Sequence, residues 1–432
     1  MTVVDHVDSA ATLPPPPPGP VRLSFIGRVG DYWRLMIRGA VLQAITLGIY
    51  RFWLFTDMRR FLWAGTTVVG ETLEYTGTAS ELLIGFLVAI GILIPIYALF
   101  FVGSLELGLL SQLSPVIAFV VLAAFGQYAA YRARRYRLTR TVFRGLRFHQ
   151  TGSAVRYAVR AFLWWFPVAL TFGLAWPFAM ANLERYKMRN TFYGDLGGSF
   201  VGSGARLFGS GFLIWLLAVG PLVAGVVAAV ATIDWSAVGV AVQNDDFRRA
   251  VIALSAEDSV KIGLGLLVSG ATASMMFGAV LFPAYQAIMM RWWLGGLRLG
   301  GAAAASDLRI WRYYKAYLLY LVYVVLLSIV FLAAVGLVFG FGYLGLRQYI
   351  DFAKPSQLVQ GLAAASGIAV YVVYILGTYT IYEVVVKMSL WRAAVESMVI
   401  SGYAAFDHVR ASEAASSALG EGLADALGGG GI

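Results

Sequence analysis

Polar residues set among apolar ones are where this chain could do chemistry. The sharpest is Glu383, an acid inside the run YILGTYTIYEVVVKM. Carboxylates at membrane depth often mark ion or proton pathways. Lys387 follows at i+4, the favourable order for a helical ion pair, so a Glu383–Lys387 pair is expected. Four more polar residues stand about one helical turn before a basic one: Asp57 before Arg60, Gln127 before Arg132, Asn182 before Arg185 and Gln286 before Arg291. Aromatics such as Trp53, Tyr128, Tyr186, Tyr285 and Trp292 flank them. Two readings stay open. Aromatic belts and snorkelling cations anchor helix ends at lipid headgroups. Alternatively, Asp57, Gln127, Asn182, Gln286 and Glu383 line a shared cytoplasmic vestibule that binds ions, headgroups or a small polar solute.

Nine arginines between Arg132 and Arg160, with no acid among them, form the strongest electrostatic feature. Juxtamembrane clusters of this kind attract anionic headgroups with about 1 kcal/mol per basic residue. Arg132, Arg134, Arg135, Arg137 and Arg140 are the expected contacts, although fixing orientation alone would explain many of them. Catalytic machinery is not in evidence. His6, His149 and His408 make no His-x-x-x-His pair and no obvious general base. The Gly-x-Gly at 202–204 follows no Rossmann strand, and no Walker loop exists. Cysteine is absent, which removes disulfide, thiolate and zinc–thiolate chemistry. The expectation is therefore no enzyme, no metal site and no cofactor. The acids of 233–260 (Asp234, Asp245, Asp246, Glu257, Asp258) are expected in a solvated loop.

The elements that must position these residues are membrane helices. The chain is 59% hydrophobic and 13% charged, with runs such as LLIGFLVAIGILIPIYALFFVG at 82–103. About 20 apolar residues span ~30 Å of hydrocarbon as a helix. A porin-like barrel is excluded because its strands would alternate apolar and polar. The net charge of +10 fits basic cytoplasmic loops, so nucleic acid is not expected as a partner. Residues 1–21 read as a disordered proline-rich arm without a signal segment, and 409–432 as a disordered tail.

One element is written twice. TLGIYRFWLFTDMRRFLWAGT (46–66) returns as TFGLAWPFAMANLERYKMRNT (171–191), an offset of 125 residues. The motif LSFIGRVGDYW (23–33), with Phe25-x-Gly27, also recurs as LEYTGTASELL (73–83) around Gly77, as SFVGSGARL (199–207) around Gly202 and, with a small insertion, as RFHQTGSAVRY (147–157) around Gly152. These matches divide the chain into unit 1 (22–152), unit 2 (153–305) and a truncated unit 3 (306–408). Five segments after basic helix ends, TTVVGETLEY, TVFRGLRF, TFYGDLGGSF, WLGGLRLGG and SMVISGY, read as short strands or turns near the membrane surface.

Charge then decides how often the chain crosses. If the spans near 35–55 and 161–181 both cross, Lys and Arg divide almost evenly between the two sides. If they enter and return, only Arg248, Arg249, Lys261, Arg347 and Lys354 fall on the far side. The positive-inside rule prefers the second arrangement. A lone arginine at mid-membrane costs at least ~2.5–3.5 kcal/mol, and Arg38 and Arg51 would sit there otherwise. Gly48 and Gly173 provide the re-entrant turns. The expected fold is an all-α polytopic membrane protein. It has three transmembrane hairpins (82–131, 210–290, 316–387), two re-entrant or interfacial helix pairs and short β-like segments at the cytoplasmic surface.

Together, Phe25-x-Gly27…Tyr32, Thr46-Leu47-Gly48-Ile49-Tyr50…Trp53, Arg60-Phe61…Thr66 and Arg185-Tyr186…Asn190-Thr191 followed by Gly194-Asp195 resemble the YjgN-like family over roughly residues 22–405. The resemblance implies a multi-pass protein of the bacterial cytoplasmic membrane, both termini cytoplasmic, with no established biochemical role. This chain departs from the family pattern at Arg51, Phe52 and Phe55, and at Trp292-Trp293-Leu294. Transport of a small solute or ion, and a non-catalytic scaffold that binds anionic lipid, are the two functional expectations.

Overall fold

The computed structural model describes residues 19–106, 109–242, 247–346 and 356–411. Most of the proline-rich arm and of the tail, with Asp245 and Asp246, lie outside the described residues. The chain opens with β1 (Val21–Arg22) and β2 (Ser24–Phe25), then α1 (Val29–Ile45), which turns back into α2 (Arg51–Ala64). β3 (Thr66–Val68), β4 (Glu71–Thr72) and β5 (Glu74–Tyr75) lead to α3 (Ala79–Glu106), which returns as α4 (Leu109–Thr139). β6 (Thr141–Phe143) and β7 (Leu146–Gln150) precede the second short pair, α5 (Ala154–Leu170) and α6 (Trp176–Arg189).

β8 (Thr191–Tyr193) and β9 (Leu196–Phe200) then enter α7 (Gly204–Thr232). Two small helices, α8 (Trp235–Val242) and α9 (Phe247–Ala256), occupy the segment expected to be loop, and α10 (Asp258–Gly296) returns. β10 (Leu297–Leu299) and β11 (Ala302–Ser306) join it to α11 (Ile310–Leu346) and α12 (Gln357–Ile381). A π-helical turn, Tyr382–Lys387, continues α12 into α13 (Met388–Ser397), followed by β12 (Met398–Ser401) and a 3-10 turn at Tyr403–His408.

Six helices are long and apolar enough to cross a membrane: α3, α4, α7, α10, α11 and the continuous α12–α13. The short pairs are not among them. At 1.5 Å per residue, α1 (17 residues) and α2 (14 residues) reach about 25 and 21 Å, short of the ~30 Å hydrocarbon core. The two turns that join the short helices are alike. Gly48 and Gly173 take φ of +90° and +92°, which a side chain would resist. The threonine two residues earlier clasps both helices: Thr46 Oγ1 donates to the Leu42 carbonyl (2.7 Å) and accepts the Tyr50 amide (3.0 Å). Thr171 does the same with Pro167 (2.7 Å) and Ala175 (3.0 Å).

The helices form a closed circuit. Each helix from α1 to α7, then α10, α11 and α12, packs on the next, and α12 packs on α1. Beneath them lies the feature that corrects the all-α expectation, a large antiparallel sheet. One ladder runs β1-β12-β11-β10-β9-β8-β7-β6-β5 and another β2-β3-β4. β1 and β2 are halves of one extended segment joined by Leu23, and β4 and β5 of another joined by Leu73. The two ladders therefore share both end segments, and the sheet closes into a ring of ten extended segments. Each five-residue segment is staggered. In β7, Leu146 and Arg147 pair with β6, while Phe148 to Gln150 pair with β8. Four hairpins are continuous in sequence; the fifth is assembled from the two ends, Val21 facing Ile400 and Arg22 facing Val399.

Local chemistry sets where helix gives way to strand. Thr66, Thr141 and Thr191 each donate Oγ1 to the carbonyl four residues back (2.8 Å in all three), and β-branched or aromatic residues follow. The ring interior is filled, not open. Val68, Phe143, Tyr193 and Tyr403 belong to one apolar core with Tyr32, Met36, Leu54, Met58, Leu62, Val384 and Met388 of the helices above. The 3-10 turn lies against this core, Phe406 meeting Tyr193 edge-on at 5.8 Å. It is held by Arg144, which reaches Asp407 (2.8 Å) and Glu71 (2.6 Å).

Candidate functional site

The helix ends that enter the ring carry an arginine six residues before the first strand of each hairpin: Arg60, Arg135, Arg185, Arg291 and Arg392. Four of them make one and the same bond. Arg60, Arg135, Arg185 and Arg392 donate Nη2 to the carbonyls of Gly77, Gly152, Gly202 and Gly27, at 3.0, 2.9, 3.2 and 2.6 Å. These are the recurring motif glycines, with Gln150 before Gly152 where Phe25, Tyr75 and Phe200 precede the other three. A Cβ on Gly77 or Gly202 would collide with the ring of Tyr75 or Phe200, which folds back over it. In the remaining hairpin Leu308 stands where the glycine would be, and no such bond joins it to Arg291 among the described residues.

Helical periodicity then turns other residues inward. On α6, Asn182 lies on the exposed face, so Glu184 and Lys187 fall on the opposite, buried one. Glu184 is ion-paired with Lys187 and accepts the Trp293 indole N–H at 3.1 Å. From α4, Arg134 donates Nη1 to Gln150 Oε1 and to Thr191 Oγ1, both at 2.8 Å, and Nη2 to Met188 Sδ at 3.4 Å. Gln150 is 4% exposed, and its amide nitrogen makes no well-formed hydrogen bond. Burial pushes the Lys187 ammonium below the usual lysine range. Glu184 opposes that shift, and the nearby Arg134 and Arg137 reinforce it. Behind the cluster Tyr131, Tyr157 and Tyr186 pack at 5.0–6.1 Å, Tyr131 and Tyr186 donating to the carbonyls of Thr151 (2.6 Å) and Ser153 (2.9 Å).

Each of the five residues expected to line one vestibule sits on a helix of its own. Asp57 stands 3.9 Å from Arg60 on a well-exposed surface, and Asn182 is exposed. Gln127 is half-buried, and Gln286 accepts the Tyr317 hydroxyl at 2.7 Å. Glu383 is wholly buried, with Oε1 2.7 Å from Lys387 Nζ and Oε2 unpartnered. Measured from the strand that follows each helix, these residues differ in depth by up to two turns. Among the described residues no bond joins any one of them to another.

The expected headgroup arginines are largely engaged by protein. Arg134 turns inward, Arg135 holds Gln150 and Gly152 carbonyls, and Arg140 is paired with Glu81 at 2.6 Å. Arg132 is half-buried with Nε unpartnered, and Arg137 lies within electrostatic reach of Lys187.

With this geometry in view, residues 20–426 match a family described as bacterial protein of unknown function (DUF898). The chain belongs to this family. It is the YjgN-like family whose motifs the sequence carries. No curated protein and no solved structure matches the chain. Within this DUF898 chain, sequence reasoning passed over Glu184, Lys187 and Gln150. The available signal was Glu184-x-x-Lys187, an ion-pair spacing on a helix whose exposed face carries Asn182 and Arg189. Among the described residues no three His, Asp or Glu side chains gather to hold a metal ion.

Proposed function

We propose that this protein is a non-catalytic, lipid-binding scaffold of the bacterial cytoplasmic membrane. In this reading its ring and both termini face the cytoplasm, and its two short hairpins dip into the inner leaflet and return. The basic helix ends at the ring and the positive-inside rule support that orientation. The recurrent Arg-to-Gly bond and the twin threonine clasps support descent of the first two units from one duplicated unit.

One observation carries the lipid reading. A cavity of about 420 Å³ lies beside the second short hairpin, bounded by Phe172 and Trp176, by Phe208, Phe212 and Trp215 of α7, and by Phe282 of α10. Its walls are almost wholly apolar, and two of them belong to helices long enough to span a bilayer. The tips of the short hairpins also expose Leu47 (93%) and Phe172 (51%), which suits hydrocarbon and not water. A phospholipid acyl chain is the occupant this chemistry fits.

Filling the cavity tests it. A Cβ on Gly278 meets nothing within 4 Å, and one on Gly211 meets only Tyr285 at 3.8 Å, so both positions accept larger side chains. Gly278→Phe and Gly211→Leu should strip tightly held phospholipid from the purified protein, as read by lipid mass spectrometry. Gly91→Phe, in open space on α3, should not. Equal lipid retention by all three variants would refute the reading. Translocation of a small solute or ion is the second reading, favoured by the buried, half-satisfied carboxylate of Glu383 in a π-helical turn. It requires Glu383→Gln and Gln286→Leu to change flux of some solute into proteoliposomes, and unchanged flux across a broad panel counts against it.

A further inference from the structure

The cluster around Arg134 is out of balance in both charge and hydrogen bonding. Two cations, Arg134 and Lys187, face one carboxylate, Glu184. Donors outnumber acceptors as well. The second Arg134 nitrogen has only the Met188 thioether, a weak acceptor, and the buried Gln150 amide N–H₂, near the Tyr131 hydroxyl, makes no well-formed hydrogen bond. Burying such groups unanswered is costly, so a further acceptor with negative charge is called for. The cations are not sealed in packed protein either. The Lys187 side chain keeps 19% of its surface and Arg134 is partly exposed, so solvent reaches both.

We infer that Arg134, Lys187 and Gln150 form a binding site for a phosphate-bearing anion, at the level where the helix ends meet the ring. A guanidinium fork beside an ammonium is the pairing that recognises phosphate oxygens. The Gln150 amide supplies a neutral donor on the same wall. Glu184 holds Lys187 and Trp293 in place and leaves net positive charge for the ligand. The phosphate comes either from a lipid headgroup or from a soluble phosphate compound. The site shares no residue with the apolar cavity, so either can fail without the other.

The test uses the full-length protein, stripped of anionic lipid and exchanged into chloride. Inorganic phosphate is titrated against it by calorimetry. In parallel, thermal stability is compared in nanodiscs of phosphatidylglycerol and of phosphatidylcholine. A response to inorganic phosphate assigns the soluble source, and a response only to phosphatidylglycerol assigns the headgroup. Lys187→Met should weaken the response about tenfold. Gln150→Glu, nearly isosteric, places the missing negative charge inside the protein. It should raise the stability of the ligand-free protein and abolish the response, which separates loss of a site from loss of fold. Two results would overturn the inference: wild-type protein that responds to neither source, or a Gln150→Glu protein that is less stable and still responds like wild type.

Discussion

Arg392 donates its Nη2 to the carbonyl of Gly27 at 2.6 Å, bridging positions 365 residues apart in sequence. The same bond in the three other hairpins joins residues only 17 apart. The arginine therefore has different work to do at each place. Where the hairpin is continuous it supports a local turn; at Gly27 it helps join the two ends of the chain.

Arg392→Ala is accordingly expected to destabilise the protein more than Arg60→Ala. Loss of a hydrogen bond from a charged donor costs about 1.5–3 kcal/mol, and here no peptide link keeps β1 beside β12. Thermal unfolding in detergent, with limited proteolysis before Val21 and after Ser401, would check it. Equal shifts for the two variants would show that the seam does not depend on this arginine.

The buried pair Glu383–Lys387 predicts an asymmetry between single and double substitutions. Lys387→Met leaves an unpaired carboxylate in a wholly buried position and should cost about 3 kcal/mol, near the low end because Lys387 is 35% exposed. Glu383→Leu with Lys387→Met should recover most of that loss. If the double variant is no more stable than the single, the pair is not what sets stability there.

Single cysteines at Gly70 and Gly197 should label from one side of the membrane. Both positions lie on the closed ring, in the β3–β4 turn and in β9. Labelling from opposite sides in intact cells and inverted vesicles would mean that the ring does not form in the membrane.

Acid should loosen the seam at the ends of the chain. Arg22 bonds Asp307 at 2.6 Å, and that hydrogen bond holds the Asp307 carboxyl below its ordinary range. A depressed carboxyl adds stability above its unfolded value of ~3.9, and loses it as pH falls through the lower folded value. Both side chains are more than half exposed, so the effect should be small and weaken with salt. Proteolysis at β1 should therefore rise below about pH 4 in the wild type and not in Asp307→Asn, which lacks the titrating group. A wild type whose β1 cleavage is flat across that window would remove this pair from the account.

Much of the helical architecture could be read from the sequence because its signals are local. Apolar length marked the six long helices, and Thr-x-Gly marked the two short turns. The aromatic-x-Gly motif marked three of the four glycines that the arginines grip, and its copy with a small insertion marked Gly152. The ring was not legible, because its strands run two to five residues and their partners lie in other hairpins. Ala302–Ser306, AAAAS, favours helix by propensity, yet it is a strand because β10 and β12 flank it. The anion cluster was hidden for the same reason. Arg134 looked like one of nine surface arginines until the ring fixed which face of α4 turns inward.

The split hairpin also sets an order of events during biosynthesis. The N-terminal strand leaves the ribosome first but finds its partner only after residue 401 has been made, when every helix has already been synthesised. Until then β1 and β11 each expose an unpaired edge, and a chain that stalls or is cut short keeps both. An open edge is a template for aggregation and a handle for proteases. Completion of the last strand thus distinguishes a finished molecule from an unfinished one.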